Sequence, residues 1–270
     1  MKYIIICLAA LILCAAAGIG LSRLFGFGAV KRGLTAAAIS LLLAAAVCFL
    51  FVSVYYHADD EAAACLTGND AVAVTPVDCG YFFDGPGEER AIAFFPGAKV
   101  EETAYAPLLL AIAERGTDCF LLRVPFRLAW MDGDAPDKVI GKYPYESWYM
   151  MGHSLGGIMA GRYAASHDET TDGAILLAAY ADRELAPSMR LLSIYGSEDG
   201  ILDRKLYEEG RQLWPEDSAE RIIDGGNHAG FGNYGAQRGD REASVTPALQ
   251  QEQTAGAIER FLSMKKIVSE

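Results

Sequence analysis

The chain has 270 residues, 52% of them hydrophobic and 21% charged, with a formal net charge of −12. That length suits one catalytic-sized domain plus an appendage, and the acidity argues against a nucleic-acid partner, because a net-negative surface repels a polyanion. The charge is unevenly spread: Lys2, Arg23, Lys31 and Arg32 precede Ala58 without any acid, so the remainder holds 19 basic and 35 acidic residues, a formal −16.

The first elements are two apolar runs. Tyr3 to Leu21 and Leu34 to Tyr56 carry no charge and show no polar face. Each reaches the roughly 20 residues a helix needs to cross a bilayer core. The reading is a two-helix transmembrane hairpin over 1–57, with a loop from Ser22 to Gly33. Three basic residues in that loop, against Lys2 at the front, favour a cytoplasmic loop and an extracytoplasmic domain. A signal peptide ending near Ala15-Ala16-Ala17 is the alternative, although the apolar run continues unbroken past it. Residues 58–71 read as an acidic linker and 72–270 as the main folded domain. Cys7, Cys14 and Cys48 fall in the spans as small apolar fillers. Cys65 and Cys79 could pair if the domain lies outside the cytoplasm, and Cys119 reads as a buried thiol in a core strand.

Beyond the linker, strands and helices alternate. Val72-Ala73-Val74 and Tyr81-Phe82-Phe83 suggest an antiparallel hairpin. Six further strands are expected at 91–95, 119–124, 148–151, 174–178, 191–195 and 221–223. Helices are expected at 105–115, 157–167, 201–213 and 254–264 by apolar spacing. Such alternation means an α/β fold, a mainly parallel sheet covered on both faces with its site at the strand C-termini. Only Tyr180 to Met189 joins two of these strands, too short for a lid. Pro125 to Ser147, with Phe126, Leu128, Trp130, Met131, Tyr143 and Tyr145, could line an open site or could pack as ordinary core. Asp132-Gly133-Asp134 and Asp137 lack the glutamate and spacing of a calcium loop and read as an acidic surface turn.

The chemistry centres on Gly152-His153-Ser154-Leu155-Gly156, a G-x-S-x-G pentapeptide between the apolar run Trp148 to Met151 and the helical opening Gly157-Ile158-Met159-Ala160. In a strand–turn–helix context this pattern is a nucleophile elbow that lifts the serine hydroxyl above the sheet. A serine needs a base, and the base an orienting acid, expected in the order Ser, Asp or Glu, His. Four histidines are available. His57 ends an apolar segment, His153 points away from its neighbour, and His167 caps a helix. His228, in a glycine-rich loop after a strand, remains as the base. Asp199, in Gly196-Ser197-Glu198-Asp199-Gly200, is the preferred acid; Glu198 faces away, and Asp182 is the rival. For an oxyanion, the Leu155 amide supplies one donor, and the turn Pro96-Gly97-Ala98-Lys99 the other, through Ala98 first and Lys99 next.

Phe94 to Val100, Gly152 to Gly157, Tyr195 to Gly200 and Gly225 to Phe231 together resemble the α/β-hydrolase superfamily, more narrowly its small, lid-poor branch related to dienelactone hydrolases. The resemblance implies Ser154 as nucleophile, Asp199 as acid, His228 as base, and Ala98 and Leu155 as backbone donors. It differs in placing Pro96 where the oxyanion loop usually carries a histidine. It implies a serine hydrolase that cleaves a carboxylic ester, lipid-like or small, without metal or organic cofactor, and the apolar runs would anchor it in a membrane. An acyltransferase using the same residues and a non-catalytic binding module on this scaffold are the alternatives.

Overall fold

The computed structural model describes residues 2–25 and 28–264, and the chain divides into two compact units, Met1–Tyr55 and Tyr56–Glu270. The first unit holds helix α1 (Lys2–Ser22), a 3₁₀ turn (Arg23–Phe25) and helix α2 (Ala29–Ser53). The predicted loop from Ser22 to Gly33 is therefore much shorter than expected. Gly26 and Phe27, inside it, lie outside the described residues, while Lys31 and Arg32 already belong to the first turns of α2. A glycine costs a helix only about 1 kcal/mol, so Gly33 does not stop the apolar run behind it from propagating backwards. Among the described residues one helix, α2, is long and apolar enough to cross a membrane; the first run contributes the shorter apolar stretch Ile12–Ser22. The expected pair of spans is thus reduced to one candidate.

The second unit begins with helix α3 (Asp60–Cys65), capped by the Asp59 side chain, which accepts from the Ala62 amide at 2.9 Å. The stretch expected to be a linker is fastened to the body: the Asp59 amide donates to the Asn233 carbonyl at 3.0 Å, and Ala62 is fully buried. Then follow β1 (Ala73–Val77), β2 (Gly80–Asp84), β3 (Arg90–Phe95), helix α4 (Ala106–Ala113), β4 (Asp118–Leu122), the short helix α5 (Asp137–Ile140) and β5 (Ser147–His153). Helix α6 (Leu155–Ser166), β6 (Gly173–Leu177), β7 (Arg190–Gly196), helix α7 (Arg204–Gly210), β8 (Asp217–Ile223) and helix α8 (Pro247–Ser263) complete the unit.

The eight strands form one sheet in the order β1-β2-β4-β3-β5-β6-β7-β8. β2 runs antiparallel to β1 and β4, and every other pairing is parallel. The central strands are apolar at successive positions because both faces are covered. Ile92, Phe94, Met151, Ile175 and Leu177 point into one core, with α4 and α8; Ala91, Ala93, Phe95, Met150, Ala174 and Leu176 point into the other, with α6. The period-two alternation sorts one strand's side chains between two cores. Each fully buried Phe or Leu contributes about 1.5–3 kcal/mol over its exposed state.

Chain order reverses at β3, which lies between β4 and β5. Crevices at such a reversal, beyond the strand C-termini, are where α/β sheets take ligands. Among the described residues, the non-glycine positions with left-handed backbone are Lys99, Phe126, Arg127, Ser154 and Ala178, with φ between 48° and 59°. All five follow the C-terminal ends of β3, β4, β5 or β6. Strained backbone is thus gathered along one rim of the sheet.

Candidate active site

Ser154 sits between β5 and α6 with φ 55° and ψ −122°. Its amide is fixed to the Leu177 carbonyl at 2.8 Å, and its side chain makes no capping bond to the helix it precedes. The flanking glycines permit this turn by close approach. A Cβ on Gly152 would lie 2.3 Å from the Gly156 carbonyl oxygen, and one on Gly156 would lie 2.3 Å from that of Phe95. The serine therefore stands at the positive end of α6, with its hydroxyl free of the helix.

Asp199 and His228 meet in the interior. His228 Nδ1 is 2.9 Å from Asp199 Oδ2, and the two residues are 1% and 2% exposed. The other carboxylate oxygen, Oδ1, accepts the Ile201 and Leu202 amides at 2.8 Å each. Burial alone would raise the Asp199 carboxyl. The bond to His228, the charge of that ring and the two amides outweigh it and hold the group below the usual carboxylate range. Because Asp199 accepts, Nδ1 of His228 carries the proton, and Nε2 is left as the basic atom. That Nε2 is buried and has no hydrogen-bond partner among the described residues.

The other candidates are occupied elsewhere. Asp182 is forked by Arg162, whose Nε lies 3.0 Å from both carboxylate oxygens. Glu198 turns outward toward Arg241, at 3.7 Å. His57 faces Glu101 at 3.4 Å. His167 lies stacked on Tyr163 with ring centroids 4.0 Å apart. His153 is buried beside the site: its Nδ1 is 2.8 Å from the Tyr105 hydroxyl and its Nε2 is 3.0 Å from the His228 carbonyl oxygen.

The turn after β3 separates its three amides. Gly97 N–H donates to the Tyr105 hydroxyl at 3.1 Å, and Lys99 N–H to the Arg127 carbonyl at 2.9 Å. Ala98 N–H, between them, takes no acceptor among the described residues, and neither does Leu155 N–H at the start of α6. Of the two donors expected in this turn, Lys99 is spent and Ala98 is available. Orphan amides at a helix start and in a strained turn are suited to binding an anionic oxygen.

Several residues that brace these loops carried no signal in the sequence. Asp240 bridges the turns that carry Asp199 and His228, accepting Gly200 N–H at 3.0 Å through Oδ1 and Ala229 N–H at 2.9 Å through Oδ2. Gln250, fully buried on α8, holds Asn227 by its amide and carbonyl at 3.0 and 2.8 Å. A glutamine in a polar-looking stretch gives no cue to this, and α8 was expected to begin only at Thr254. It begins at Pro247 after the capping side chain of Thr246.

The segment after β4 is split. Leu128 is buried, and Tyr143 and Tyr145 pack against the core around Phe120 and Trp148. Phe126, Trp130 and Met131 are exposed by 54%, 57% and 44%. An open cavity of about 520 Å³ lies off the end of β4, with Glu102, Arg123, Phe126, Arg127, Asp132 and Lys138 among its walls; Ser154, Asp199 and His228 do not line it. Among the described residues no cluster of His, Cys, Asp and Glu could hold a metal ion. Cys65, Cys79 and Cys119 are free thiols.

A family model described as the alpha/beta hydrolase family matches residues 91–253. A search of curated proteins finds no match. Among solved structures, a dienelactone hydrolase from Anabaena variabilis superposes with a TM-score of 0.51 at 13% identity, covering 71% of this chain and 97% of that one. A membrane phospholipase A described as a bacterial virulence factor gives 0.54 at 14% identity, covering 86% and 98%. A naproxen esterase from Bacillus subtilis gives 0.50 at 14% identity, covering 75% and 94%. At these identities the likeness is one of fold.

Proposed function

The chain belongs to the alpha/beta hydrolase family, and from that premise we propose that it is a serine hydrolase that cleaves a carboxylic ester. The observation that carries this reading is the buried pair of Asp199 and His228, joined through Nδ1 while Nε2 remains unbonded. An imidazole held in that tautomer is a general base awaiting a hydroxyl. Ser154 Oγ attacks the ester carbonyl while His228 Nε2 takes its proton. The carbonyl oxygen becomes an oxyanion held by the Ala98 and Leu155 amides. The protonated His228 then gives its proton to the departing alcohol, leaving an acyl group on Ser154. Water, deprotonated by the same nitrogen, releases the acid and restores the serine.

Esters are favoured over other acyl substrates because the related folds carry names such as esterase and phospholipase. We further propose that α2 anchors the enzyme in a membrane. Lys31 and Arg32 at its start favour that end on the cytoplasmic side and the hydrolase unit on the other.

The test is hydrolysis of a short p-nitrophenyl ester by the full chain and by Ser154→Ala, together with labelling by a fluorophosphonate. The wild type is expected to hydrolyse and to be labelled, and the variant to do neither while remaining folded. Undiminished turnover in the variant sinks the assignment. Extraction of membranes with alkaline carbonate and protease accessibility in intact cells test the anchor and its orientation.

A further inference from the structure

His153, the residue before the serine, has no part in the reaction as written, yet it is 1% exposed and both ring nitrogens are bonded. The donors can be assigned without ambiguity. The His228 carbonyl can only accept, so Nε2 of His153 carries the proton. Nδ1 of a neutral ring is then an acceptor, so Tyr105 O–H donates to it. The lone pair left on that hydroxyl receives Gly97 N–H at 3.1 Å. One unbroken chain runs from the turn that carries Ala98, through Tyr105 and His153, to the backbone of the base.

The surroundings fix its members in these states. Burial first, and the neighbouring His228 ring next, hold the His153 imidazole well below its ordinary range against the opposing pull of Asp199. Burial pushes the Tyr105 hydroxyl up, which keeps it a donor. The rings of His153 and His228 lie 4.6 Å apart between centroids. The contact leaves no slack: a Cβ on Gly97 would lie 2.7 Å from the Tyr105 oxygen and 2.8 Å from His153 Nδ1.

We propose that His153 is a positioning residue that locks the oxyanion turn and the base loop into one register around Ser154. The inference rests on the roles given above to Ser154, His228 and the Ala98 amide. The three loops follow β3, β5 and β8, and His153 with Tyr105 links them by hydrogen bonds of fixed direction. A ring that stays neutral does this without competing for the serine proton while His228 is charged. The chain acts on the transition state, where amides and base must be aligned together, and little on binding of the ground state.

The test is steady-state hydrolysis of a short p-nitrophenyl ester by His153→Leu, His153→Gln, Tyr105→Phe and the double variant His153→Leu with Tyr105→Phe. Leu and Phe are each expected to lower kcat about 10- to 100-fold, with KM within about twofold, since a displacement near 1 Å costs on this order. The double variant should be no worse than the poorer single one, because both break the same chain. Gln, which offers one N–H and one C=O, should recover most of the loss. Should His153→Leu fail to fold, Tyr105→Phe decides alone, since it keeps the ring and removes only the hydroxyl. Wild-type kcat in Tyr105→Phe, losses that multiply in the double variant, or a Gln variant no better than Leu would overturn the proposal. Ser154→Ala separates the two readings: activity there sinks the site itself, whereas inactivity there with an unimpaired Tyr105→Phe sinks only the role of His153.

Discussion

The guanidinium of Arg241 donates to the backbone carbonyl of Asp199 at 2.9 Å. It also holds the carbonyls of Ser197 and Glu198, at 3.2 and 3.1 Å, so a distant loop clamps the whole turn around Asp199. Its neighbour Asp240 extends the clamp to the loop of His228 through Ala229. Asp240→Ala should let the two turns drift apart. The expected outcome is a drop in kcat of about tenfold, equivalent to about 1.4 kcal/mol of lost transition-state stabilisation, with KM little changed in steady-state assays.

The two carboxylates that competed as the acid should separate cleanly. Asp199→Asn removes the acceptor that fixes the His228 tautomer and is expected to lower kcat by about 10⁴-fold. Asp182→Asn only weakens a pair with Arg162 of α6 and should leave kcat within about twofold. Parallel progress curves for the two variants check this, and equal losses would reassign the acid.

Ser154→Gly trades function for stability. Serine at φ 55° and ψ −122° is strained, and a left-handed or otherwise rare backbone state costs about 1–3 kcal/mol for a residue with a Cβ. Glycine escapes that cost but loses more chain entropy on folding, so the net gain is about 1 kcal/mol. In a domain of this size that raises the thermal midpoint by about 2–4 °C. Differential scanning calorimetry should find the variant inactive and the more stable of the two.

The sheet was readable because its central strands are short, largely apolar and separated by turn residues, so both burial and element type point one way. The strand–turn–helix elbow at Ser154 was readable from five residues, and the contact between Asp199 and His228 from chain order and elimination among few histidines. What escaped was set by distant partners. β8 was expected over 221–223 and runs from Asp217, because Asp217, Ser218 and Glu220 break the apolar pattern. The Asp217 end is drawn in by Arg190, 2.9 Å away across the sheet. The choice between Ala98 and Lys99 likewise depended on Arg127, whose carbonyl takes up the Lys99 amide. No local sequence rule contains that contact.

Asp199 also sets a response to acid. Its carboxyl titrates below the ordinary value in the folded chain, so the unfolded chain binds the proton more readily. Stability therefore rises with pH across that interval. The contribution is complete above about pH 4 and fades as the pH falls through the folded value. Urea midpoints of wild type and Asp199→Asn should differ by a constant amount above about pH 4 and converge below it.

Tyr56, three residues beyond the last helical residue of α2, pairs with the segment that follows the turn after β3. Its amide donates to Lys99 at 2.8 Å, and its carbonyl receives Glu101 N–H at 2.9 Å. This sets a boundary for any trimmed, detergent-free version of the enzyme. A cut placed after Ser53 keeps the strap, whereas one placed after Tyr56 strips two backbone bonds from the turn, and the shortened protein would lose turnover for reasons unrelated to lipid.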